Sequence, residues 1–348
     1  MKKLKFTLIT SILTFALILF GCNDSSGPNV NNLGGNALAG AYILYGAPAF
    51  TDYAFYDATK DSVTDFVYKS SNSGKLLQGN PGDLKLNSDR KLYLTTSGSP
   101  GGNGTIYKID PLSNVIEDSL YFGSAPLGFA INNNRIVIGN SGSSNITVLD
   151  LDFNIIKDTV EVGSNPANVL YAFNRYIITR NTLNNERSAA LVNEVNYEVA
   201  KLFFPFVPVQ AIYNVNGIFL STNLNNNVYR VDQESFTTID SFSVPTVLTG
   251  NNVLEFKSQN SFYAVAGGKE VWLAAAGSGT FLFTKIFTAG SGENIQTIAY
   301  ESAANELYLG LWHNNGFIVI IDGTTGVIKR TKPLVPGLVA RKIIFRYF

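Results

Sequence analysis

Cysteine, histidine and methionine occur once each in 348 residues, and tryptophan twice. A single cysteine rules out a disulfide framework, and with a single histidine it also rules out the zinc and redox sites that need several such ligands. Any metal would have to be held by oxygen ligands, and the sequence contains no pattern that predicts a metal site or a cofactor. Charge is scarce as well. Only 15% of the residues are charged, against roughly 25% in a typical soluble domain. Lys plus Arg total 26, as do Asp plus Glu, so the basic footprint of a nucleic-acid binder is missing and no nucleic-acid partner is expected. Beyond the first 21 residues no long stretch carries a 3.6-residue apolar period, which predicts very little helix. In place of these features the chain is 45% hydrophobic and 12% aromatic, enough for a sizeable core. Its polar remainder is mostly Asn, Ser, Thr and Gly.

The position of the single cysteine is informative. Lys2, Lys3 and Lys5 precede an uncharged, mainly apolar run at 6–20, of the right length for a signal-peptide core and short for a membrane span. The run ends at Leu19-Phe20-Gly21-Cys22, which resembles the lipobox of bacterial lipoprotein signal peptides. The resemblance implies cleavage before Cys22 and a diacylglyceryl group on its sulfur; the alternative is an incidental thiol behind an ordinary signal peptide. Residues 23–40 (NDSSGPNVNNLGGNALAG) have the Gly, Asn and Ser content of a flexible tether. The expected organisation is a signal peptide at 1–21, a lipidated Cys22 and tether at 22–40, and a folded body at 41–348. Such a protein is exported and anchored by lipid to a membrane of the cell envelope, periplasmic or at the cell surface.

The body is repetitive. A short apolar strand recurs around Ile43, Tyr93, Val137, Ile177, Phe219, Tyr263 and Tyr308, at intervals of 40 to 50 residues, the period of a propeller blade. A second strand follows each and often ends in Asp, as in TIYKID at 105–110, ITVLD at 146–150, VYRVD at 228–232 and FIVIID at 317–322. A third alternating strand, a turn such as GSAP at 123–126, and a fourth strand complete the unit. Four β-rich segments per repeat predict an all-β fold, a seven-bladed β-propeller of four-stranded antiparallel blades. The first unit lacks a leading strand, while the chain ends in an unmatched apolar one at 339–348. Pairing of these N- and C-terminal strands would close the ring and leave no exposed edge.

The best-formed units, RIVIGNSGSSNITVLDLDFNIIKDTVEVGSNP at 135–166 and the segment 91–126, resemble the YVTN-type β-propellers. Other units depart from the pattern: Asn193 replaces the terminal Asp in one, and the unit at 262–279 has none. The resemblance implies the fold and a set of possible roles, from surface-layer-like and partner-binding exported proteins to lactonase-like enzymes, without choosing among them.

No catalytic residue is expected. The recurrent Asp110, Asp150, Asp232 and Asp322 read as caps for the turns that follow them, although carboxylates repeated around a ring also suit a metal. No Gly-x-Ser-x-Gly elbow is present, and the glycine-rich 98–104 lacks the helix and lysine of a phosphate cradle. Candidate ligand-binding residues are Trp312 and His313, on the loop between the second and third strands of their blade, and Arg180 and Arg187, which with Glu186 occupy the equivalent loop elsewhere. His313 is the side chain that ordinarily titrates near neutral pH, and it reads either as a site residue or as a solvated loop histidine. The two arginines read either as an anion site or as surface ion pairs with Glu186. The reading favoured is a non-catalytic binding or scaffold module that holds a protein, peptide or glycan partner through loops rich in Asn, Ser, Gly and aromatics. The alternative is a lactonase-like hydrolase or lyase with a site at the channel mouth.

Overall fold

In the computed structural model the described residues are 37–348, apart from 48–49, 99–101, 133, 182–184, 215, 249–251, 279 and 314. The signal peptide, Cys22 and residues 23–36 of the tether lie outside them. The first strand, Leu38–Ala47, opens three residues before position 41, so the end of the expected tether is already in a sheet.

Seven antiparallel sheets make up the molecule, six of four strands and one of five. Blade 1 orders its strands Val339–Tyr347, Leu38–Ala47, Phe50–Asp57 and Ser62–Thr64, with Leu77–Gln78 added to the third. Blades 2 to 7 follow in chain order over 80–122, 126–161, 166–203, 208–243, 253–288 and 294–336. Each sheet has an inner, a second, a third and an outer strand. The inner strands, in order from blade 1, are Val339–Tyr347, Asn80–Leu86, Pro126–Asn132, Pro166–Ala172, Pro208–Asn214, Val253–Ser258 and Asn294–Glu301. Each touches the next around a closed ring.

All seven apolar repeats of the sequence fall on second strands. A second strand is covered on both faces by neighbouring blades, so it reads as a continuous apolar run, and Leu92–Ser97 and Gly217–Thr222 are buried at every position. Outer strands are mostly solvated, as in Ile155–Glu161, where only Val160 is buried. Blades are joined by aromatic contacts, among them Tyr56 with Tyr308, Tyr93 with Phe153 and Phe219 with Phe262, at ring distances of 5.9, 6.2 and 5.4 Å. Hydroxyls add further links: Thr179 Oγ1 donates to Val209 O at 3.0 Å, and Ser221 Oγ to Asn252 O at 3.0 Å.

The expected closure is present. Tyr42 faces Ile344 and Ile43 faces Ile343 across the pair formed by the first and last strands. Helix among the described residues amounts to Val67–Ser71, in an insertion within blade 1 between Ser62–Thr64 and Leu77–Gln78. The buried Asp52 carboxylate accepts the backbone N–H groups of Tyr68 and Lys69 at 3.0 and 3.1 Å and fixes that turn.

The recurrent carboxylates are turn caps. Asp110 Oδ1 accepts from the N–H groups of Leu112 and Ser113 at 3.0 and 2.8 Å. Asp232 and Asp322 repeat the pattern with Ser235 and Thr325, as does Asp150 with Asp152 and Asn154. Asp57 does the same in blade 1, and Asn193 Oδ1 replaces the carboxylate in blade 4. The Thr59 hydroxyl on Asp57 and the Asn154 side-chain amide on Asp150, together with these backbone bonds, hold Asp57 and Asp322 at about 2 and lower Asp110, Asp150 and Asp232 as well. The ionised form is the stronger acceptor for these donors, so the bonds favour it.

Candidate functional site at the channel mouth

In a propeller blade the second strand ends where the inner strand begins. Loops between second and third strands therefore share one face of the disc with the loops that join successive blades. On that face a cavity of about 300 Å³ lies on the axis, with residues of six inner-strand segments around it. Its wall holds Asp83, Asn168, Gln210, Gln296, Arg341 and Lys342.

The inner strands are built to reach it. Six of them carry one extra residue close to their start, at 82–83, 127–128, 167–168, Val209, Gln296 and Arg341. A bulge of this kind bends a strand and redirects a side chain. Residues from five of the six bulges line the cavity. At the blade 2 bulge a Cβ on Gly82 would sit 2.6 Å from Thr95 Oγ1, so only glycine fits beneath that hydroxyl.

Below the mouth the channel is charged. Asp83 lies 3.6 Å from Lys85 Nζ and 3.9 Å from Lys342 Nζ, and accepts the Leu84 N–H at 2.9 Å. Burial raises the Asp83 carboxyl, but the two ammonium groups outweigh it and its pKa is lowered. Burial also lowers Lys85, against the attraction of Asp83. On the inner strand of blade 6, burial pushes Glu255 up to about 7, with Lys342 and the Tyr300 backbone N–H pulling the other way. Arg341 is exposed, and among the described residues its guanidinium has neither a hydrogen-bond nor an ion-pair partner.

The four residues read from the sequence occupy this face without lining the cavity. Trp312 and His313 end the second strand of blade 7, half-buried and exposed respectively. The His313 ring packs on the loop between blades 6 and 7, where a Cβ on Gly292 would lie 2.2 Å from Nδ1. Arg180 is 1% exposed. Its guanidinium donates to the carbonyls of Ser188, Gly163 and Val162 at 2.7, 3.0 and 2.6 Å. Those bonds leave it no open side for a ligand. Glu186 pairs with Lys201 at 3.6 Å, and Arg187 is exposed. Three steps around the ring separate blade 4 from blade 7, so the two pairs do not converge. The aromatics expected on the loops are largely elsewhere, since Tyr42, Tyr45, Tyr53, Tyr93, Tyr176 and Tyr263 are all buried in the core.

Among the described residues no group of three or more His, Cys, Asp or Glu is placed to hold a metal, and no helix is long and apolar enough to cross a membrane. The cavity and the channel below it carried a weak sequence signal: Asp83, Lys85, Glu255 and Lys342 are charges inside segments that otherwise read as buried strand.

No family model and no curated protein matches the chain. Solved structures do. A putative 6-phosphogluconolactonase from Bacteroides uniformis is 12% identical with a TM-score of 0.62, over 88% of this chain and 99% of that one. Its counterpart from Bacteroides fragilis is 13% identical with a TM-score of 0.61, over 88% and 98%. The Cps50 (Swd1) β-propeller domain of Myceliophteria thermophila is 11% identical with a TM-score of 0.61, over 74% and 87%. At these identities the likeness is one of fold, the β-propeller.

Proposed function

We propose that this chain is an exported lipoprotein, anchored through Cys22, whose propeller is a non-catalytic binding module for a protein, peptide or glycan of the cell envelope. The observation that carries the binding role is the convergence of five strand bulges on one axial cavity beneath polar loops. Among the described residues no nucleophile and base stand together there, and the carboxylates are engaged by lysines and backbone N–H groups. The anchor rests on the apolar run, the cysteine that ends it and the tether composition. The YVTN-type resemblance supports an exported propeller of this kind. The test is capture by the purified chain lacking residues 1–22, on an array of envelope glycans and against defined envelope proteins. No capture on either removes the binding role. Metabolic labelling with a fatty acid, compared between the wild type and Cys22→Ser, tests the anchor.

A lactonase-like hydrolase or lyase is the second reading, and it draws on the coverage of both putative 6-phosphogluconolactonases. It requires turnover in a lactone and ester screen and its loss in His313→Ala. A silent screen retires it.

A further inference from the structure

We propose that the axial cavity binds a small carboxylate-bearing saccharide, with the carboxylate at Arg341 and Lys342 and the hydroxyls at the side-chain amides of Asn168 and Gln296. The proposal rests on the binding reading above and names a ligand class for it.

Charge comes first. Asp83 is neutralised by its lysine neighbours, and Arg341 has no counter-ion among the described residues. Summed over Asp83, Lys85, Glu255, Arg341 and Lys342, the cavity and the channel beneath it hold one positive charge in excess even with Glu255 ionised. The chain as a whole is neutral, so the excess is local, and a concave site concentrates its field on an incoming anion. One excess charge matches a monoanion better than a phosphate dianion.

Backbone geometry comes second. Arg341 is the unpaired residue of a bulge: Ala340 faces Tyr45 and Lys342 faces Leu44, with nothing opposite Arg341. Two consecutive residues of a regular strand point to opposite faces. The bulge breaks that alternation and sets both cations at one cavity. A planar guanidinium beside an ammonium is the donor set that carboxylates take in two-point fashion.

The rest of the wall selects the remainder of the ligand. Gln296 is also a bulge residue, and among the described residues its amide makes no protein hydrogen bond. Asn168 gives its Nδ2 to Val209 O at 2.7 Å and keeps Oδ1 to accept a hydroxyl. Among the described residues no aromatic side chain lines the cavity, and a volume of about 300 Å³ is at the small end of ligand sites. These features suit a single hydroxylated ring rather than a fatty acid or a macromolecular segment.

Isothermal titration of the chain lacking residues 1–22 with glucuronate, glucose and acetate tests the proposal. Glucuronate should bind at least roughly tenfold more tightly than either glucose or acetate, because each lacks one half of the contacts. Arg341→Gln, an exposed position that the fold does not need, should reduce glucuronate to the level of glucose. Gln296→Ala should weaken glucuronate and leave acetate unchanged. Equal binding of glucose or acetate, an unaffected Arg341→Gln, or no glucuronate binding overturns the proposal. Capture of a neutral glycan or a defined protein by a chain that ignores glucuronate would overturn the ligand class alone and leave the binding module standing.

Discussion

The backbone N–H of Phe348 donates to the carbonyl of Ala37 at 3.1 Å, so the last residue is hydrogen-bonded to the residue just before the first strand. The ring therefore closes by sequence-distant strand pairing, and the inner wall of blade 1 comes from the final nine-residue strand. Closure is reinforced from blade 7 by the Tyr347 hydroxyl on Glu301 at 3.2 Å and by Lys332 on Asp61 at 2.8 Å.

Phe345 is fully buried at this seam and packs edge-on against Tyr308 at 5.0 Å. Phe345→Ala should destabilise the fold by about 3–5 kcal/mol, the usual cost of emptying such a site. The check is the urea midpoint. A loss under about 1 kcal/mol, little more than the ~0.5 kcal/mol that ordinary surface substitutions cost, would mean that the seam contributes little.

The capping carboxylates predict an acid limb. Asp322 is held at about 2 by the N–H groups of Thr325 and Thr324. Because its folded pKa lies below the unfolded value, its contribution is complete above about pH 4 and is lost as the pH falls towards 2. Asn193 shows that an amide oxygen fills the same position. Asp322→Asn should therefore melt furthest below wild type at pH 6 and approach it as the pH falls through 3 towards 2. A Tm difference that does not change with pH would sink the electrostatic account.

The blade count, closure and turn caps were legible in the sequence because each rests on a local pattern repeated seven-fold or nearly so. Second strands, buried on both faces, give unbroken apolar runs, and Asp110, Asp232 and Asp322 recur at one place in the repeat. The cavity was not legible, for physical reasons. Asp83, Glu255 and Lys342 come from different blades, so their proximity is a property of the closed ring and of no local segment. Whether Arg341 faces the channel depends on one extra residue in a strand, a register event that period-2 reading cannot detect. Arg180 illustrates the converse. A lone arginine at a strand end looks like a ligand residue, yet its carbonyl partners at 162 and 163 come from the loop that enters its own blade.

Arg180 should therefore matter for stability and not for binding. Arg180→Met leaves three carbonyls without their donor, at a cost of roughly 2–4 kcal/mol. Any ligand captured by the wild type should bind the folded variant with unchanged affinity. Selective loss of binding with an unaltered urea midpoint would return Arg180 to the site.

Glu255 predicts a second, opposite pH effect. Its folded pKa of about 7 lies above the ordinary glutamate value of 4.5. Between those two values the folded protein keeps a proton that the unfolded chain has released, so stability falls as the pH rises through this window and then levels off. The carboxylate is half-buried and feels the positive charge of Lys342, which limits the effect to on the order of 1–2 kcal/mol. Glu255→Gln removes the titration. Its Tm relative to wild type should rise between pH 5 and pH 8, and the gain should be largest at pH 8, where the wild-type carboxylate is ionised. A relative Tm that falls over the same interval would mean that the ionised Glu255–Lys342 pair stabilises the channel.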